Sequence, residues 1–110
     1  MTHIAVITTV PDLAEARRIA TALVERRLVA CVQISEIESV FRWDGAVRHE
    51  REHRLVCKTV TARYEAVEQA LLALHPYEVP AIHAMALDRV QSSYADWLDT
   101  ESSGEPSVAT

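Results

Sequence analysis

The chain has 110 residues, 49% of them apolar, 25% charged and only 5% aromatic, and sixteen carboxylates against eleven basic side chains give a formal charge of -5. That length supports one domain, and folding at this size buries roughly 65% of the unfolded surface, enough for a core without metal or disulfide staples. The basic residues are interleaved with Glu and Asp, so the local cationic excess of a phosphate-tracking groove is missing and no nucleic-acid partner is expected.

No run approaches the ~20 apolar residues that cross a bilayer, so no membrane partner is expected either. Met1-Thr2-His3 lacks the basic flank and long apolar stretch of a signal peptide, which makes the cytoplasm the expected location. Cys31 and Cys57 sit inside apolar runs. In a reducing cytosol they read as small buried hydrophobes rather than a disulfide.

Ile4-Ala5-Val6-Ile7 is a continuous apolar run suited to a strand covered on both faces. Thr9-Val10-Pro11-Asp12 then reads as a helix start, with the Thr9 hydroxyl as cap and an acidic first turn. Leu13, Ala16, Ala20, Leu23, Val24 and Leu28 recur at spacings of three and four, with Glu15, Arg18, Glu25 and Arg26 opposite, so the segment is an amphipathic helix.

From Val29 the texture turns β-branched, and Asp44-Gly45 interrupts it as a type I′ hairpin turn. The return strand runs from about Ala46 to Thr59, charged first and apolar toward Leu55-Val56-Cys57. Thr61 caps a second helix whose inner face carries Tyr64, Val67, Leu71 and Leu74, and Pro76 ends it by forcing His75 out of helical geometry. Val79 to Leu87 forms a fourth strand, which Pro80 confines to a sheet edge. Ser92 to Asp99 forms a short helix presenting Tyr94 and Trp97. The domain is therefore expected over residues 1–99, with 100–110 a disordered acidic tail.

The order β-α-β-β-α-β predicts an α+β, ferredoxin-like sandwich on an antiparallel sheet, with strands one and three central and two and four at the edges. The central hairpin is too long for two such helices to cover. Its unpaired edges are a liability unless another chain completes them, so a homo-oligomer is expected.

His49-Glu50-Arg51-Glu52-His53 matches the H-E-x-x-H pattern of zinc proteases, which works only on a helix. Here it follows a hairpin turn. On a strand the two histidines lie ~13 Å apart, too far to share one ion, so a hydrolase reading is set aside. His75-Pro76-Tyr77-Glu78-Val79-Pro80 displays His, Tyr and Glu from a stiff loop at a helix C-terminus. His75 there is either a cation favoured by the helix dipole or a neutral metal ligand, with Glu78 as an oxygen ligand nearby. The plainer reading has His75 capping the last carbonyls and Tyr77 packing at an interface. His83 reads as a core histidine and His3 as part of a frayed end. Glycine only at 45 and 104 leaves no phosphate-cradling loop.

Taken together, Thr-Val-Pro-Asp at 9–12, Leu-Val-Ala-Cys-Val at 28–32, Phe-Arg-Trp-Asp-Gly at 41–45, His-Pro-Tyr-Glu-Val-Pro at 75–80 and Tyr-x-x-Trp at 94–97 resemble the CutA divalent-cation tolerance proteins, from about Ile4 to Trp97. The resemblance implies a ferredoxin-like subunit, a homotrimer joined by intersubunit β pairing, no enzymatic activity and a link to copper and other divalent ions. It implies the architecture of the trimeric PII signalling proteins as well.

In metal-binding members of that family, ligation is attributed to a Cys and a His-His pair whose positions here are Thr8, Leu74 and His75. A hydroxyl and a leucine do not replace a thiolate and an imidazole for copper. The family's Pro-Gly bulge in the second strand is absent from Ile34-Ser35-Glu36-Ile37. The leading expectation is a trimeric metal-response protein binding divalent cations weakly through His75 and Glu78, with no obligatory cofactor. The alternative is a PII-like scaffold whose intersubunit cleft, near Tyr77, Tyr94 and Trp97, receives a protein segment or small effector.

Overall fold

In the computed structural model, which describes residues 2–104, the elements run β1 (His3–Val10), α1 (Leu13–Glu25), β2 (Cys31–Trp43), β3 (Ala46–Val60), one 3-10 turn (Thr61–Arg63), α2 (Tyr64–Leu74), β4 (Ile82–Leu87) and α3 (Ser92–Glu101). They form one antiparallel sheet in the order β2-β3-β1-β4, with the two apolar strands central as the sequence predicts. This is the ferredoxin-like α+β arrangement.

The pleat sorts the side chains. Val6 pairs with Cys57 and Cys57 with Val32, so Ile4, Val6, Val10, Leu55, Cys57, Val32 and Ile34 share one face, on which α1 and α2 close the core. From α1 that core takes Ala16, Ile19 and Leu23, and from α2 Val67, Ala70 and Leu71. The stripe on α1 is narrower than its spacing suggests. Leu13 and Val24 stay exposed, and Ile19 supplies the buried position between Ala16 and Leu23. Cys57 is fully enclosed, and burial first, with neighbouring Cys31 second, pushes its thiol up to about 12. Both cysteines are free, and Cys57 is held as an inert thiol.

Several local expectations are corrected. Thr9 lies within β1, one residue before its end; Asp12 is the cap of α1, its carboxylate accepting from the Glu15 amide at 2.8 Å. Thr61 does not cap α2. Its hydroxyl and its amide both donate to the Thr2 carbonyl, at 3.3 and 3.0 Å, which ties it to the sheet margin and delays the helix to Tyr64. The fourth strand starts at Ile82, not Val79, because Pro80 has no N–H and the pairing with β1 begins only at Thr8.

His83 is exposed rather than buried: it lies on the face away from α1 and α2, beside Met85. His3 is no frayed end, since its Nε2 lies 2.8 Å from an Asp99 carboxylate oxygen. The helix α3 continues to Glu101, and Ser102 is buried, so residues 100–104 are ordered where a disordered tail was expected. The remainder of that expected tail, residues 105–110, lies outside the described residues.

Asp44 (φ 49°) and Gly45 (φ 74°) form the predicted hairpin turn, both in the left-handed region that a type I′ turn requires. The last β1–β3 pair is Val10 with His53. Beyond it residues 37–43 pair only with 46–52, an arm that reaches about 20 Å past the body. Val40 and Val47 are 59% and 57% exposed on one of its faces, and Phe41 and Trp43 are 39% and 42% exposed on the other. The arm raises the radius of gyration to 14.8 Å, against about 13 Å for a compact chain of this length.

Candidate functional site

The loop from His75 to Ala81 joins the helical layer to β4 and wraps the end of β1. Its conformation begins with His75, whose backbone (φ -76°, ψ 136°) is extended as a residue before proline must be. The His75 amide closes α2 on the Leu71 carbonyl at 2.8 Å. The last helical carbonyl, that of Leu74, is capped by Arg18 of α1 at 2.7 Å, and Arg18 is itself paired with Glu15.

The His75 ring is used at both nitrogens. Nε2 donates to the Thr9 carbonyl at 2.8 Å, and Nδ1 accepts from the Tyr77 amide at 3.1 Å. That pair of contacts fixes the neutral Nε2–H tautomer. Burial holds the imidazole below its ordinary 6.5 and Arg18 adds to the effect, outweighing the opposite pull of the Thr9 carbonyl, Glu15 and Glu52. The cationic alternative is therefore corrected, and the ring braces the loop against β1 rather than capping α2.

Tyr77 sits beside the His75 ring, centroids 5.0 Å apart, and its hydroxyl donates to Glu52 at 2.8 Å. Glu52, only 7% exposed, lies just past the end of β1, where among the described residues β3 is paired with β2 alone. Burial first, then the Glu52 carboxylate, pushes the Tyr77 phenol well above 10, so it stays a donor. Glu52 is the residue sequence reasoning missed. Its signal was present but misdirected, inside the H-E-x-x-H match. On β3 His49 and His53 face one side and Glu50 and Glu52 the other, which removes the protease geometry.

Glu78 is exposed on the same loop. Thr8 is fully buried with its hydroxyl unpartnered, next to the Thr9 carbonyl that His75 engages. Among the described residues no three His, Cys, Asp or Glu side chains are placed to hold a metal ion together.

The other predicted aromatics lie at the opposite end of the sheet. Gln91 caps α3 by accepting from the Tyr94 amide at 2.9 Å. Tyr94 stacks on Trp97 with centroids 5.8 Å apart and planes at 18°, and Trp97 is 43% exposed. The Tyr94 hydroxyl lies 3.7 Å from Cys31 Sγ, and the Lys58 ammonium lies 5.7 Å from its ring centroid. Burial and then Cys31 raise its phenol above the ordinary value. Lys58 pairs with Ala5, near the start of β1, whereas Tyr77 meets Glu52 beyond its end. Within one chain the structure thus separates Tyr77 from Tyr94 and Trp97 by roughly the length of a strand, ~20 Å.

A ferredoxin-like body, a long projecting hairpin and a proline-braced loop folded against the end of the first strand define the class. Comparison with known proteins is specific within it: the model of the CutA1 divalent ion tolerance protein family matches residues 4–101. A divalent-cation tolerance protein CutA from Thermus thermophilus is 44% identical over 94 residues, covering 84% of this chain and 91% of the relative. The structure of CutA from Synechococcus elongatus superposes with a TM-score of 0.90 at 35% identity, covering 92% of this chain and 90% of that one. A structure described as the periplasmic divalent cation tolerance protein CutA from Archaeoglobus fulgidus gives a TM-score of 0.89 at 35% identity, over 91% of this chain and 98% of that one. The chain belongs to the CutA1 divalent ion tolerance family. That family is named for tolerance of ions and not for a reaction.

Proposed function

We propose that the chain works as a non-enzymatic homotrimer in the response to divalent metal ions, copper among them, and that each subunit binds such ions weakly through His75 and Glu78. The observation that carries the assembly is the arm, which exposes apolar side chains on both faces and has no strand of its own subunit beside it past residue 53. Intersubunit pairing removes that liability.

The neutral tautomer of His75 supports a weak ion site. With the proton on Nε2, Nδ1 keeps a lone pair for an ion, which has to displace only the Tyr77 amide. That exchange sacrifices one backbone hydrogen bond, about 1 kcal/mol. With Thr8 and Leu74 supplying no soft ligand, affinity is low. No described helix is long and apolar enough to cross a membrane, and we place the protein in the cytoplasm, although the Archaeoglobus relative is described as periplasmic.

Light scattering at micromolar concentration is expected to give three times the 12.3 kDa subunit mass; a single subunit mass removes the assembly. Copper and zinc titrations by calorimetry are expected to show weak heats that vanish in His75→Ala. Equal heats in the two proteins, or none in either, remove His75 from the reading.

A second reading is favoured by the stacked Tyr94–Trp97 pair, whose outer ring is open to solvent. There the trimer is a scaffold and the pair receives a protein segment or effector. A partner list recovered from lysate that Trp97→Ala leaves unchanged counts against it.

A further inference from the structure

At the end of the sheet away from the arm, two arginines from different elements converge on the four residues that follow Asp99. Arg27 occupies the position after the cap of α1 with φ 56°, and the Leu28 amide closes the helix on the Leu23 carbonyl at 3.1 Å. Helices of this type commonly place glycine at that left-handed position, where it removes the steric cost. Arginine stands there instead, and its Nε and Nη2 are engaged. Nη2 donates to the Thr100 carbonyl at 2.6 Å and to Ser103 Oγ at 2.8 Å, while Nε donates to the same hydroxyl at 3.3 Å.

Arg63 approaches from the turn before α2, with Nε on the Ser102 carbonyl at 2.9 Å and Nη2 on the Ser103 carbonyl at 2.6 Å. Gly104 completes the arrangement. Its amide donates to the Arg27 carbonyl at 2.9 Å, its φ is +87°, and a Cβ there would lie 3.0 Å from Arg63 Cζ. Only glycine fits.

Ser102 is buried, whereas Ser103 is exposed with its hydroxyl already held by one guanidinium and its carbonyl by another. We infer that Ser103 is a phosphorylation site whose phosphoryl group is held between Arg27 and Arg63. In the modifying step Ser103 Oγ attacks the γ-phosphorus of a nucleoside triphosphate on a separate protein kinase. The Oγ–P bond forms as the bond to the β,γ-bridging oxygen breaks; the nucleoside diphosphate departs with that electron pair, and the hydroxyl proton passes to the kinase's base.

The product carries about -1.5 to -2 charge and three strong acceptors. Opposing it are the negative end of α3 and Glu101, whose carboxylate lies 3.8 Å from Arg27 Nη1. Two guanidinium forks outweigh these, because planar bidentate contact to phosphate is what arginine does better than a point charge. The modified residue then fastens the end of α3, and with it the Tyr94–Trp97 pair, to α1 and α2.

The test uses the full chain with phosphoserine encoded at position 103. A phosphorus NMR titration is expected to place its second ionisation about one unit below the ~6 of an exposed phosphoserine, and the Arg27→Ala and Arg63→Gln variants should each return it toward ~6. Amide exchange across 98–104 should slow several-fold on modification. A midpoint at or above ~6 in the otherwise native chain, or one that neither variant moves, overturns the arginine clasp. Phosphopeptide mapping of the chain isolated from its host should find phosphate on Ser103 and none on Ser102, and a Ser103 unmodified in both growing and stationary cells overturns the site.

Discussion

The arm and the loop at 75–81 leave the same end of the sheet and have opposite fates. The loop is short, braced by two prolines, and spends its polar side chains inward: His75 on the Thr9 carbonyl and Tyr77 on Glu52. The arm is long and regular, and past Glu52 the strand pairing among the described residues is between its own two strands. A chain segment is held by what its side chains can reach, not by how regular its backbone is. The loop is thus fixed against its own chain, whereas the arm leaves apolar side chains uncovered on both of its faces.

Three experiments sharpen that contrast, ordered by the largest effect each is expected to show. Leu55, fully buried where β3 crosses the core, should lose about 2–5 kcal/mol on truncation to Ala, read by denaturant unfolding. Val47→Ala, farther out on the same strand and 57% exposed, should change the subunit's own unfolding by under about 0.5 kcal/mol. Comparable losses at the two positions would mean that the arm belongs to the subunit's core after all.

Tyr77→Phe leaves a carboxylate at 7% exposure without its one phenolic donor. A cost of about 1–3 kcal/mol is expected, and the double change with Glu52→Gln should recover part of it. Additive losses would show that the 2.8 Å contact contributes nothing.

The smallest effect is the pH dependence of His75. Its folded value is held below the ordinary 6.5, so below about 6.5 the unfolded chain binds a proton that the folded ring refuses. This contribution is complete above the unfolded value and is lost as the pH falls from about 7 toward the folded value. The melting temperature should decline over that window, and His75→Gln should flatten the decline. An unchanged slope in the variant would assign the dependence to other groups.

The elements, their order and the strand arrangement were legible because each rests on a local signal: the three-four spacing of α1, the Asp44-Gly45 turn, the Pro76 stop. Several errors fell where a residue answered to a neighbour distant in sequence. Thr61 looked like a cap but is bonded to Thr2. His3 looked frayed but is tied to Asp99. His75 and Tyr77 were identified as the chemically notable residues, yet their partners Thr9 and Glu52 could not be, since Glu52 was hidden in a motif that a strand cannot use.

By itself, then, the sequence determined the fold class, the family and the overlong hairpin, because periodicity, turn chemistry and ordered motifs are written residue by residue. Tertiary structure alone decided that His75 is a neutral strut with both nitrogens in use and that Tyr77 and Trp97 stand at opposite ends of one subunit. It alone set the Arg27 and Arg63 side chains around Ser103. Apart from the local Tyr77 amide bond to His75, the hydrogen bonds behind those facts join residues 25 to 76 positions apart in the chain, and no local pattern encodes a partner that only folding brings within reach.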